Sequence, residues 1–109
     1  MADDSGTLYP PLTPGQFITF GPPQSVTVTT SNTTVLQYNP TRTYLLLVNS
    51  VATDCYISIG FGAVSTAGIF LKNGGGSYEM NLGSKNVSPQ SVFAVTASGT
   101  TNLTFVEGT

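Results

Sequence analysis

From Ser25 onward the chain is a succession of short runs of Val, Ile, Thr, Tyr and Phe, interrupted every few residues by Gly, Asn, Ser or Pro. That rhythm is the signature of strands and turns. The stretch nearest to a helical window, "GFGAVSTAGIF", is cut by Gly60, Gly62 and Gly68 and carries no sustained apolar repeat of 3.6 residues. Strands are predicted at 26–30, 34–38, 44–49, 54–60, 68–71, 77–81, 92–97 and 102–107. Eight short strands at this spacing predict an all-β fold, an antiparallel β-sandwich of jelly-roll type. An immunoglobulin domain fits less well, because Trp is absent and a single Cys cannot bridge two sheets.

The strands differ in how they distribute apolar residues. "SVTVTT" places Val26 and Val28 on one face and Thr on the other, as in a sheet with one wet side. "YLLLVN" is apolar on both faces, which predicts a central strand covered above and below, or one whose outer face is an interface. "DCYISIG" points Cys55, Ile57 and Ile59 inward and Tyr56 and Ser58 outward. "SVFAVTASGTTNLTFVEG" reads as an antiparallel hairpin turning around Ser98 and Gly99, with Phe93, Val95, Leu103 and Phe105 in the core. "NGGGS", 73–77, reads as a turn that uses positive φ values.

Before these strands, residues 1–24 hold Pro10, Pro11, Pro14, Pro22 and Pro23, five of the seven prolines. Each removes a backbone donor and pushes the preceding residue toward extended conformation. The chain therefore divides into an extended N-terminal arm, 1–24, and a sandwich domain, 25–109. Within the arm only "QFITF" could pair as a strand. Tyr9, Phe17, Ile18 and Phe20 have no core of their own there, and they are the candidate partner-interface residues. Either they fold back on the parent domain or part of the arm lies across a neighbouring subunit.

Composition limits the chemistry. Charged residues are 7% of the 109, so the surface is hydroxyl and amide, and such groups cost far less to desolvate than ions. This favours lasting contact with another protein. Arg42, Lys72 and Lys85 are too few and too scattered to neutralise a run of phosphates, which argues against nucleic acid as a partner. No segment approaches the ~20 apolar residues that span a bilayer, and the start has neither the basic nor the apolar part of a signal peptide. Synthesis in the cytoplasm, with Cys55 as a buried thiol, is the corresponding expectation.

With no histidine in the chain, triads of the Ser-His-Asp or Cys-His kind cannot be assembled. One Cys cannot supply a zinc cluster, and Asp54, Glu79 and Glu107 stand apart from one another, so neither a metal nor another cofactor is expected. Glu79 and Glu107 are the pair that could serve a glycosidase, although a solvated strand-edge role is the simpler assignment for each. The glycine-rich segments lack the Gly-Lys-Ser/Thr of a phosphate loop. The expectation is a protein that is not an enzyme.

The succession "NPTRTYLLLVNSVATDCYISIGFG", "GIFLKNGGGSYEMN" and "SVFAVTASGTTNLTFVEG" resembles small virion proteins of tailed bacteriophages, over Asn39 to Gly108. In size and layout it is most similar to capsid decoration, or cement, proteins. The resemblance implies a jelly-roll body that sits on the outside of a head, clamps neighbouring copies of the major capsid protein, and self-associates as a dimer or trimer. It transfers no individual functional residue. A receptor- or glycan-binding module of a tail, fibre or head appendage is the alternative.

Overall fold

The computed structural model describes residues 17–51 and 53–109. Eight strands follow in order: β1 (Gln24–Val28), β2 (Thr33–Leu36), β3 (Tyr44–Asn49), β4 (Cys55–Ile59), β5 (Ile69–Leu71), β6 (Ser77–Met80), β7 (Val92–Thr96) and β8 (Thr101–Gly108). Each boundary lies within two residues of its predicted position, and among the described residues there is no α-helix. The strands form two antiparallel four-stranded sheets, β1-β8-β3-β6 and β2-β7-β4-β5, packed as a β-sandwich. The pairs β1–β8, β2–β7, β3–β6 and β4–β5 nest one inside the next, the connectivity of a long hairpin rolled on itself.

The core lies between the sheets. Leu45, Leu47 and Asn49 of β3 and Cys55 and Ile57 of β4 are fully buried, and Val28, Leu71, Met80, Val92, Ala94 and Leu103 meet them from the remaining strands. β3 is an inner strand of its sheet, held by β8 on one side and β6 on the other, but its outer face at Tyr44, Leu46 and Val48 is only half-buried. Burial pushes the Cys55 thiol up to about 11, with the neighbouring Asp54 charge adding to the effect. The unfolded chain ionises this thiol at lower pH than the folded one, so stability is lost as pH rises from about 9 through about 11. The loss from this group should approach about 1.4 kcal/mol per pH unit in that window. Urea unfolding of wild type and Cys55→Ala between pH 8 and 11 measures it, and parallel slopes would refute it.

Two expectations for the last strands fail. β7 and β8 do not form a hairpin: β7 lies between β2 and β4, and β8 between β1 and β3 in the opposite sheet. The turn itself is where the sequence puts it, with Gly99 at φ 72° and the Thr96 hydroxyl donating to Gly99 O at 2.7 Å. A tight turn specifies a reversal of direction but not the strand that will pair across it. The face of β7 is also inverted. Val92, Ala94 and Thr96 point inward, whereas Phe93 and Val95 join Tyr56 and Ser58 on the outer face. "VFAVT" is apolar on both faces, so alternation alone could not choose between two registers that differ by one residue. Leu103 and Phe105 do pack on the core as predicted.

Polar side chains close both ends of the sandwich. At one end Asn49, fully buried, donates through Nδ2 to Thr53 O (2.8 Å) and Leu71 O (3.0 Å), while its Oδ1 accepts from the Thr101 hydroxyl (2.6 Å). This ties β3 and β8 to the start of β4 and the end of β5. The 73–77 turn joins the same cluster. Gly74 and Gly75 take positive φ, and their N–H groups donate to Val51 O and Asn49 O.

At the other end Arg42 is 5% exposed. Its Nε donates to Glu107 Oε2 at 2.6 Å, Nη1 to Ser88 O (2.7 Å) and Gln90 O (2.9 Å), and Nη2 to Gln37 O (3.0 Å). One guanidinium therefore binds β8 to the segments that leave β2 and enter β7, which belong to the other sheet.

Candidate interaction surface

The chain enters the body at the Arg42 end. Thr19 and Thr109 exchange both backbone hydrogen bonds at 2.9 Å, and Gly21 N–H donates to Glu107 O at 2.9 Å. Residues 19–21 thus extend the edge of the sheet beside the last residues of β8. Pro22 and Pro23 then interrupt the ladder, since neither has an N–H to give, before β1 resumes it at Gln24.

The pairing works because position 108 is glycine. A Cβ there would overlap Ile18 Cγ2 and come within 3.1 Å of Tyr44 Cβ, so the bare backbone forms the seat for Ile18. Phe20 stands edge-on to Tyr44, with ring centroids 5.5 Å apart and planes at 81°, a favourable aromatic geometry. Gly108→Val should cost about 1–3 kcal/mol by overpacking and speed chymotryptic cleavage after Phe20. Unchanged cleavage would mean that this seat does not hold the segment.

Of the four predicted interface residues, the structure therefore brings Ile18 and Phe20 together on β8 and β3. They fold back on their own domain, one of the two outcomes the sequence left open. Phe20 remains 56% exposed and Phe17 62% exposed. Tyr9 lies outside the described residues.

Next to this seat the outer face of β1-β8-β3-β6 carries apolar residues that lie outside the arm. Leu46 and Val48 of β3 lie beside Val106 and Thr104 of β8, and with Pro23 and Phe105 they line a shallow groove of about 110 Å³. None of the six is charged. The signal for this face was present in "YLLLVN", whose second apolar face required a cover. A second cleft of about 190 Å³ lies under the chain at Phe20 and Pro22, between Gln24 and Glu107.

The two carboxylates proposed as a possible glycosidase pair are kept apart by the sheet. Glu107 is paired with Leu45 and Glu79 with Leu46, so they point to opposite faces. Glu107 is no solvated edge residue, since it accepts from Arg42 and from Asn39 Nδ2 (3.1 Å). Glu79 is exposed and accepts from the Tyr44 hydroxyl at 2.6 Å. That hydrogen bond raises the Tyr44 pKa above its ordinary value, with burial and the carboxylate charge acting in the same direction.

The opposite sheet also presents aromatic side chains. Tyr56 and Phe70 are cross-strand neighbours, with centroids 5.4 Å apart, and Phe70 is 49% exposed. The 60–68 connection leaves β4 with Gly60 N–H on Ser91 O, and Ala63 N–H reaches Asn32 Oδ1 at 2.6 Å beyond β7. It thus links the end of β4 to the residue just before β2, on the far side of β7 in the sheet order.

No known protein family matches this chain, and neither the curated proteins nor the solved structures contain a significant match.

Proposed function

We propose that this protein is a structural component of a bacteriophage virion, a capsid decoration or cement protein that binds the outer head surface and bridges copies of the major capsid protein. On this reading it is made in the host cytoplasm, works as a homo-oligomer and catalyses no reaction. The observation that carries the proposal is the apolar strip of β3 and β8, bordered by the single carboxylate of Glu79, which continues into the arm root at Ile18, Phe20 and Tyr44. Such a surface loses little on desolvation and gains with every apolar contact, and many copies acting together can stabilise a shell through individually weak attachments. The nested strand pairing supports a jelly-roll body, and two polar clasps give that body the rigidity a bridge needs.

The test is addition of purified protein to heads that lack it. Heads should bind it and survive heating that disrupts untreated heads, and unchanged survival would reject the proposal. The exposed Phe70 ring, with the half-buried Tyr56 beside it, favours a second reading, a glycan-binding module, because aromatic faces stack on sugars. Binding on a glycan array that is lost in Phe70→Ala, without binding to heads, would select that reading.

A further inference from the structure

We propose that the groove formed by Pro23, Leu46, Val48, Thr104, Phe105 and Val106 receives residues 8–12, Leu-Tyr-Pro-Pro-Leu, from a second copy of this chain. This deepens the bridging role proposed above by naming how the copies join one another, and it can be tested without heads.

The first argument is chemical fit. The groove is apolar and carries no charged side chain. Residues 5–16, "SGTLYPPLTPGQ", are equally uncharged and concentrate Leu8, Tyr9 and Leu12 among three prolines. A proline-rich segment is already restricted toward an extended form, so ordering it against a groove costs less conformational entropy than ordering an ordinary peptide.

The second argument is direction. From Gln24 back to Thr19 the chain runs along β8 from Phe105 toward Thr109, so at Phe17 it is heading off the end of the sheet. The groove lies behind it, at the level of residues 104–106. Reaching its own groove would require a complete reversal, whereas a second copy set against the Arg42 end offers its groove ahead of the segment.

The third argument is reach. The 16 residues before Phe17 span up to roughly 53 Å when extended, and a six-residue strand such as β3 is about 20 Å long. The segment is long enough to leave one body and cross the face of another.

The experiment uses two full-length single-site variants, Leu12→Cys and Val106→Cys, one carrying an affinity tag so that mixed products are recognised. The native Cys55 is buried and its raised pKa keeps it protonated near neutral pH, so it does not compete. Mixed and mildly oxidised, the two proteins should yield a tagged heterodimer, in excess over the homodimers of either variant alone. Deletion of residues 1–16 should lower the number of copies per particle measured by sedimentation, while the circular dichroism of the body is retained. Three results would each overturn the proposal. They are absence of the heterodimer, an intramolecular crosslink in the Leu12→Cys/Val106→Cys double variant in place of dimers, and an unchanged number of copies per particle after the deletion.

Discussion

Arg42→Met should lower the free energy of unfolding by about 3–5 kcal/mol, the range for breaking a buried ion pair by removing one partner. The side chain is almost completely enclosed and uses all three of its nitrogens. Methionine fills much of the same volume but leaves the Glu107 carboxylate without its strongest donor and three carbonyls, at residues 37, 88 and 90, without partners. Lysine is no substitute, since its single ammonium cannot match the planar fork that reaches four acceptors in three chain segments. Glu107→Gln should cost less than Arg42→Met, because an amide oxygen can still accept from Nε. Urea titration of the variants checks both statements, and a loss below about 1 kcal/mol for Arg42→Met would show that the clasp contributes little.

The second large effect is expected at the opposite end. Asn49→Leu keeps size and shape but removes two donors and an acceptor from a site with no access to water. Thr53 O, Leu71 O and the Thr101 hydroxyl lose their partner together. A destabilisation of about 2–4 kcal/mol follows from the cost of buried groups left unsatisfied. Because Gly75 N–H bonds to Asn49 O and Asn49 N–H to Gly76 O, the 73–77 turn should loosen as well. Faster amide exchange at Gly74 and Gly75 than in wild type is the local signature, and native-like protection there would contradict the assigned role.

The strands were legible because a pleated, half-buried surface imposes a two-residue alternation that "DCYISIG" and "SVTVTT" display openly. The pairing of the last two strands was not, because Gly99 encodes a reversal and the choice of partner is settled by contacts far away in sequence. The inverted face of β7 has the same origin: Phe93 and Val95 are as apolar as Val92 and Ala94, and only β4 and β2 decide which pair is covered. The enclosure of Arg42 leaves no local trace in the sequence. Nothing in the neighbouring Asn-Pro-Thr announces the carbonyls of residues 88 and 90 or the carboxylate of residue 107 that enclose it. In the arm, the apolar side chains of Ile18 and Phe20 were conspicuous, but their seat was not, since a glycine near the end of the last strand looks like an ordinary strand end.

That glycine gives the molecule an unusual mechanical coupling. Residues 17–21 and 107–109 are separated by almost the whole sequence yet hold one another in place, so a cut or deletion in either stretch should fray the other. A shortened carboxyl end would then weaken whatever the amino-terminal segment grips, without touching that segment at all.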